Sequence, residues 1–419
     1  MTRMAVVSSY AESCGNASFT KVVVNSVSRY STMTAEGVGL PLMLTQSLDR
    51  QIRAGADDAI RQMAEVLRTY DAVNLQVETG LYGTRPADVL RRIKILLDAN
   101  PNTTVTLHAP RLITSLDEWH RNAYRSALRL RLGQALKNYV GGINANKYVA
   151  MNRKLVGMVA AAKRPIIVHT QRSKTLISTI VGYDNVHVHP LRIVPPDFRP
   201  QPEVLQRLRE RNGIAPGAKV IGIFGYVSRY KGHLDAIKAL SRLPQEYVLL
   251  IAGRQHPQTI RPEMKDGFIA ELEAQIDRAP RNQRLAERVF FVGELPDDDF
   301  MSVAACVDVC WLPYYELGQD GSGIASICLD LNPRVLCSAS LAFDELFRLL
   351  PYRNYMRFDI GNATELAQKT RAIVQAPTVD PALSSNAYSQ RSQALLYAGL
   401  AGATARAATA LNVVPQDAA

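Results

Sequence analysis

Long apolar runs are missing from this 419-residue chain. None approaches the ~18 residues that a membrane-spanning helix requires, which excludes a helical span. Cysteine is scarce. The five present (Cys14, Cys306, Cys310, Cys328, Cys337) form no CxxC pair and have no His-rich partner segment. A disulfide framework or zinc knuckle is therefore disfavoured, and a reducing compartment fits. Glycine and proline, 25 and 22, are too few for a fibrous or low-complexity chain. No segment repeats at a period of about 20–50 residues, so a solenoid is excluded. Residues 1–10 lack the layout of a signal peptide, and the expectation is a cytoplasmic protein.

Acid is unevenly missing. Lys plus Arg is 49 against 38 Asp plus Glu, a net of +11. Residues 1–195 hold 25 basic and 13 acidic side chains, and the remainder 24 and 25, so the excess lies wholly in the first half. Within it, residues 121–164 hold ten basic residues and no acidic one. Such asymmetry suggests that the first half faces something anionic. Arg121, Arg125 and Arg129 recur every fourth residue, and Leu128, Leu132, Ala135, Leu136 and Tyr139 supply an apolar stripe. The segment predicts a basic amphipathic helix, either a rest for an anionic membrane surface or a solvated outer face. Aromatic stacking residues are sparse there, so nucleic acid is not expected as a partner.

What is present is a rhythm of strands and helices. Residues 4–7, 71–77, 103–107 and 164–169 read as strands in the first half, with helix signals from Phe19 to Val27 and from Pro86 to Leu97. Residues 189–202 contain five prolines and read as a linker. Strands resume at 219–225, 247–253, 288–293, 307–313 and 334–338, and the Ala-rich stretch from Ala387 to Leu411 reads as a helix. Strands separated by helical stretches predict parallel sheets covered on both faces. The expected domains are 1–190, a linker at 191–202, a second domain at 203–380, and a C-terminal helix and tail at 381–419.

Ligands of open parallel sheets bind beyond the carboxyl ends of the strands. One such loop is Gly225-Tyr226-Val227-Ser228-Arg229-Tyr230-Lys231-Gly232-His233. Arg229 and Lys231 there suit a diphosphate clamp or a solvated surface turn. Another runs from Tyr314-Tyr315-Glu316 through Asp320-Gly321-Ser322-Gly323 into an apolar stretch. It suits an anion site at a helix N-terminus or an ordinary N-cap by Ser322. Asp297-Asp298-Asp299 looks like a metal motif but opens a helix, where acidic side chains complement the dipole. His108 and His169 end strands, where histidine serves as a reacting group or as a structural hydrogen-bonder. Cys306 and Cys310 lie in an apolar segment and read as core.

The anchors Phe224 to Gly232, Leu250-Ile251-Ala252-Gly253-Arg254, Val292-Gly293, Leu312 to Glu316 with the Gly321-Ser322-Gly323 loop, and Asp344-Glu345-Leu346 carry a resemblance. The chain resembles retaining nucleotide-sugar glycosyltransferases of the GT-B fold, specifically glycosyltransferase family 4. In the first half, Asn74 to Glu78, Thr106 to His108 and Gly15 are similar to the family's strand ends and first glycine turn. The resemblance implies an α/β fold of two facing Rossmann-like, doubly wound domains, the donor on the second and the acceptor on the first. It implies that Lys231 and Arg229 hold the donor diphosphate, with N–H groups near Ser322 and Gly323. Glu316 or Asp320 would contact the transferred sugar, and His108 would approach it from the first domain. Gly225, Gly253, Arg254 and Gly293 would border the nucleotide. No cofactor and no metal is implied, since the nucleotide-sugar is a substrate.

The expectation is therefore a metal-independent, retaining hexosyltransferase using a GDP- or UDP-sugar. Its acceptor would be a glycan or lipid-linked saccharide of cell-surface polysaccharide synthesis, reached in the cytoplasm or on the inner membrane face. The chain departs from the family pattern at three places. Counted back from Arg334-Val335, the paired glutamates fall near Gln319 and Ile327, the usual Arg after the first glycine is Tyr226, and Arg334 replaces a common proline. A non-catalytic family member that binds glycan or a partner enzyme, and a nucleotide-sugar epimerase, are the alternatives.

Overall fold

The computed structural model describes residues 2–10, 15–114, 116–254, 267–315, 320–349, 355–377 and 389–402, with residues 116–118 described by backbone only. The first half runs β1 (Thr2–Ser8), α1 (Gly15–Tyr30), β2 (Met33–Gly39), α2 (Leu42–Thr45), α3 (Arg50–Leu67), β3 (Ala72–Val77), α4 (Thr79–Tyr82) and α5 (Pro86–Ala99). It continues with β4 (Thr103–Leu107), α6 (Leu116–Leu128), α7 (Leu132–Ala161), β5 (Ile166–Val168), α8 (Gln171–Val181) and β6 (Val186–Val188). The second half runs α9 (Pro202–Asn212), β7 (Lys219–Phe224), α10 (His233–Leu240), β8 (Tyr247–Ala252), α11 (Gly267–Asp277), β9 (Val289–Gly293) and α12 (Asp297–Cys306). Then come β10 (Val309–Leu312), α13 (Gly323–Leu331), β11 (Val335–Ser338), α14 (Asp344–Leu349), β12 (Tyr355–Phe358), α15 (Ala363–Gln375) and α16 (Gln390–Gly402).

These elements form two compact units. Unit 1 comprises residues 1–190 and 388–419, and unit 2 residues 191–387. Unit 1 holds a parallel sheet of order β2-β1-β3-β4-β5-β6, and unit 2 one of order β12-β11-β10-β7-β8-β9. Both strand orders reverse once, between β1 and β3 and between β7 and β10. These are the topological switch points at which open sheets bind ligands. The central strands are apolar because both faces are covered. All six residues of β3 and of β8, and all four of β10, are buried. The pairing is in register from Met4 opposite Ala72 and from Lys219 opposite Tyr247, with one shift between Ile251 and Ala252.

Helix starts follow the capping chemistry. Asp49 accepts from Gln51 N at 2.7 Å, Thr170 from Ser173 N at 3.2 Å and Asn362 from Glu365 N at 3.1 Å. Pro86 and Pro202 stand in first turns, where no N–H is needed. Asp297, Asp298 and Asp299 form the first turn of α12. The proline-rich segment after Pro190 is fixed onto unit 2. Arg192 pairs with Asp330 at 2.7 Å, Ser326 Oγ donates to Leu191 O at 2.5 Å, and Ile193, Val194 and Phe198 pack on the core.

Three strands escaped the sequence reading: β2, β6 and β12. Each lies at a sheet edge, and two of them are only three or four residues long. The closing helix α16 packs on unit 1, where Tyr397 is buried and its OH meets Thr106 Oγ1 at 3.1 Å. The predicted extension of that helix to Leu411 lies outside the described residues.

The basic amphipathic helix predicted around Arg121, Arg125 and Arg129 is corrected to a hairpin. Helix α6 stops at Leu128 and α7 starts at Leu132. Between them Leu130 takes φ 55°, Leu130 N donates to Ala127 O at 2.9 Å and Arg131 N to Ser126 O at 2.9 Å. That is a Schellman stop with leucine in the position glycine favours, at a cost of ~1–2 kcal/mol. The i,i+4 pattern runs straight through this reversal because the break is short: left-handed Leu130 and non-helical Arg131 (φ −92°, ψ 64°). The stop leaves Arg129 beyond α6 and divides the apolar stripe between two helices.

Candidate anion site at the switch point of unit 2

Strand β7 delivers its chain to a tight turn at Gly225 (φ 87°). The turn is pinned to the loop after β8. Gly225 N donates to Ala252 O at 2.9 Å and Val227 N to Arg254 O at 2.9 Å. The two loops approach so closely that a Cβ at Gly253 would lie 2.0 Å from Gly225 O. A short 3-10 turn, Arg229–Lys231, follows. Gly232 (φ 73°) then opens α10, and a Cβ there would lie 1.7 Å from Pro313 O. Only glycine fits that contact with the loop after β10.

The turn drives Lys231 inward. It is 3% exposed, and its Nζ donates to Tyr314 OH at 2.8 Å and Phe224 O at 3.3 Å. The ammonium lies 4.8 Å from the centre of the Tyr314 ring and 5.8 Å from that of Tyr230. Among the described residues no carboxylate answers it, and burial lowers its pKa from 10.5 to about 7. An amine held this way has strong attraction for an incoming anion.

The second side of the site is the start of α13. Ser322 is its N-cap, with Oγ accepting from Ala325 N at 3.2 Å. Tyr314 OH lies 3.0 Å from the same Oγ. The two short contacts through Tyr314 put Lys231 Nζ within about 6 Å of Ser322 Oγ. A buried ammonium and the positive end of a helix thus converge at the switch point. Asp320 is buried beside the cap, at 3% exposure. In the same turn, His233 Nδ1 donates to Ser228 O at 3.2 Å. Its buried Nε2 and the Ser228 hydroxyl have no hydrogen-bond partner among the described residues. Burial lowers the His233 pKa to about 4, with neighbouring Lys231 adding to the effect.

The other predicted donor residues are distributed around this centre. Arg229 turns outward to Glu271 and lies 4.8 Å over the Phe268 ring. Arg254 pairs with Glu294 at 3.1 Å and sits beside Tyr226. Gly293 ends β9 with φ 74°. Glu316 lies outside the described residues. Tyr314 and His233 were missed. Only Tyr314 had a sequence signal, the tyrosine pair next to the strand end, and pairing alone does not say which ring turns inward.

In unit 1 the strand ends gather a second polar cluster. His108 follows β4, with Nε2 2.8 Å from Gln76 Oε1 and Nδ1 3.1 Å from His169 Nε2. His169 Nδ1 donates to His189 O at 3.0 Å, which fixes its tautomer and makes its Nε2 an acceptor. His108 Nδ1 is therefore a donor. The Gln76 amide gives its N–H2 to Asn74 Oδ1 and turns its oxygen to His108 Nε2, so a hydrogen bond there requires a proton on Nε2, which His108 carries in its protonated form. Burial and the adjacent His169 hold the His108 pKa well below 6.5, so the neutral form prevails at neutral pH. Burial likewise lowers His169 to about 4. Phe19 meets both rings edge-on, at 5.5 and 5.7 Å. Behind Gln76 the network continues to Asn74 (2.6 Å) and on to Thr104 and Thr106. Burial raises the pKa of Glu78, with Arg111 opposing. His169, read as structural, is the hydrogen-bond partner of His108. Gly15 begins α1 after β1, with open space where a Cβ would lie.

No family model matches the chain. A 2-deoxystreptamine glucosyltransferase of Streptomyces kanamyceticus is 28% identical over 164 residues, 38% of this chain and 38% of that protein. The match thus spans well under half the length of that relative. Among solved structures, Anabaena Alr3699/HepE in complex with UDP and glucose aligns over 94% of this chain and 95% of its own, at 14% identity and a TM-score of 0.59. A UDP-forming alpha,alpha-trehalose-phosphate synthase from Burkholderia xenovorans in complex with glucose-6-phosphate aligns over 96% and 100%, at 10% identity and a TM-score of 0.64. The fold is the two-domain, Rossmann-like α/β architecture of the GT-B type.

Proposed function

We propose that this chain is a glycosyltransferase that takes a UDP-sugar as donor, transfers a hexose with retention, and needs no metal. The observation that carries the reading is Lys231, a buried ammonium without a carboxylate partner among the described residues, joined through Tyr314 to the N-cap of α13. A site built this way stabilises the negative charge that grows on a departing diphosphate. One such donor is worth roughly 2.7–4 kcal/mol in a transition state. The partial likeness to a glucosyltransferase and the UDP and glucose of the HepE structure favour UDP over GDP and glucose among hexoses.

The bond from the anomeric carbon to the β-phosphate oxygen breaks, and a bond from that carbon to an acceptor hydroxyl oxygen forms. Retention places the acceptor on the face that the diphosphate leaves, so the departing oxygen receives the acceptor proton. Lys231, the Ser322 hydroxyl and the free N–H groups of α13 would hold that oxygen's charge. In this reading His108 and Glu316 serve the sugar, and Gly225, Arg254, Gly293 and Asp320 border the donor. Arg229 reaches the diphosphate only by leaving Glu271. The acceptor we propose is a glycan or lipid-linked saccharide.

One observation favours the non-catalytic reading. Ile327, near the place of the family's second glutamate, is 7% exposed and packs in the unit 2 core. No side chain at 327 is available to a ribose.

The test is thermal-shift binding of UDP, GDP and ADP, followed by donor turnover with UDP-glucose, on the parent chain and Lys231→Ala. UDP at about a hundred times its dissociation constant should stabilise the parent by ~2.7 kcal/mol and leave Lys231→Ala unmoved. Stabilisation by UDP without any turnover selects the non-catalytic reading. No shift with any nucleotide overturns the donor site.

A further inference from the structure

The hairpin of α6 and α7 is built to display apolar side chains. Tyr124 and Leu128 are each 66% exposed, Leu130 87%, Leu132 69% and Leu136 64%. From Leu132 to Gly141 no side chain of α7 is buried, whereas Val149, Met151, Leu155, Val156 and Val159 are. At 1.5 Å per residue, about 15 Å of α7 runs beyond the part that enters the core. The projection is nevertheless ordered by its own contacts. The Trp119 ring occupies the space beside Gly141 and Gly142, where a Cβ would come within 2.5 and 2.9 Å of Trp119 atoms. His120 stacks on Tyr139 at 6.2 Å, and Asn138 Nδ2 donates to Ser126 Oγ at 3.3 Å.

At its tip the sequence alternates Leu128-Arg129-Leu130-Arg131-Leu132. A cavity of about 340 Å³ opens there, lined by Arg125, Arg129 and Arg131 with Asn122, Ser126, Gln134 and Asn138. Three guanidinium groups and four neutral polar side chains suit a phosphate monoanion. The strained left-handed residue at the apex is leucine, so the turn keeps an apolar side chain where glycine would close it without strain.

We propose that this hairpin tip docks on an anionic phospholipid surface. Leu128, Leu130 and Leu132 enter the interfacial layer, and Arg125, Arg129 and Arg131 receive lipid phosphates. Charge selects this occupant. Residues 121–164 carry ten basic side chains and no acidic one, so a second copy of the tip would bring like charges together. Exposed leucines have no counterpart on a nucleic-acid backbone. The inference stands on the hairpin alone and does not depend on the glycosyltransferase reading.

The test is co-sedimentation of the full chain with vesicles of phosphatidylcholine, alone or with one-third phosphatidylglycerol. The anionic vesicles should bind about tenfold or more tightly than the neutral ones, and salt should weaken the binding severalfold. Two triple variants, one with Leu128→Ser, Leu130→Ser and Leu132→Ser, the other with Arg125→Gln, Arg129→Gln and Arg131→Gln, should each lose about tenfold. Both change exposed side chains, and an unaltered circular dichroism spectrum and melting temperature establish that they fold. Equal binding to both vesicle types, or full binding by either folded variant, overturns the proposal. So does displacement by inorganic phosphate beyond that by chloride of equal ionic strength, which marks a soluble-phosphate site. A dimer that the leucine variant dissolves assigns the surface to a second copy instead. UDP binding, measured in parallel, reports on the donor site separately.

Discussion

Nucleotide binding to this protein should take up a proton, and Lys231 should be where it goes. Burial among Tyr230, Tyr314 and the Phe224 carbonyl lowers the ammonium pKa from 10.5 to about 7. At pH 8 about nine-tenths of the free protein then holds a neutral amine. A diphosphate within reach restores the charged form, so UDP binding at pH 8 should consume roughly 0.9 proton per site. If only the ammonium form binds, the dissociation constant should rise about 50-fold between pH 7 and pH 9. Titration calorimetry in two buffers of different ionisation enthalpy reads the proton directly, as a difference in apparent binding heat. The unliganded protein should show the converse linkage. Between pH 7 and 10.5 the unfolded chain binds a proton that the folded one does not, so stability rises with pH through that window. Below pH 7 the buried charge costs a constant ~5 kcal/mol before relaxation. Lys231→Met should therefore raise the melting temperature while abolishing UDP binding. Buffer-independent heats at pH 8, with a dissociation constant flat from pH 7 to 9, would refute the reasoning: the lysine would be charged already or remote from the anion.

Acid should destabilise both units well before their carboxylates titrate. His169 in unit 1 and His233 in unit 2 are held near pKa 4 by burial, so below pH 6.5 the unfolded chain binds protons that the folded units refuse. Stability should fall by about 1.4 kcal/mol per pH unit for each histidine as pH drops from 6.5 towards 4. Urea denaturation at pH 6.5 and pH 5 measures it, and equal stability at the two values contradicts the burial of neutral rings. Gly232→Ala should cost ~3 kcal/mol or more, because the added Cβ meets Pro313 O at 1.7 Å in a backbone conformation with φ 73°. A loss below ~1 kcal/mol in the denaturation midpoint would show that the loops after β7 and β10 can separate.

The central strands were legible because burial on both faces writes itself as an apolar run. Residues 247–252 contain no charged or amide side chain to misplace, and the six are all buried. Edge strand β2 was not legible: Met33-Thr34-Ala35-Glu36-Gly37-Val38-Gly39 has two glycines and an exposed acid paired with Arg3. Tertiary pairing with β1 makes it a strand, against its own propensity. The hairpin failed for a different reason. A reversal confined to left-handed Leu130 and non-helical Arg131 leaves i,i+4 periodicity intact on both sides, and nothing in residue type announces it.

The site shows the same division between identity and environment. Glycine and base in the loop after β7 were visible, and so was the small-residue start of α13. What the sequence does not carry is direction. Arg229 and Lys231 are two residues apart on one short turn, and on that turn one side chain goes out to Glu271 while the other goes in under Tyr314. The residue that turned inward is the one whose ammonium burial brings to a pKa of about 7. Ile327 extends the argument. Because that position is buried in the core of unit 2, any recognition of a ribose under the proposed reading would come from groups other than a glutamate at 327. Asp320 and the loop after β8 stand next to the candidate anion site, whereas the side chain at 327 offers no polar atom. A donor-binding assay that compares UDP with deoxy-UDP measures what that replacement costs. If the missing glutamate is uncompensated, the two should bind within about twofold of each other, since a buried isoleucine cannot tell a hydroxyl from a hydrogen.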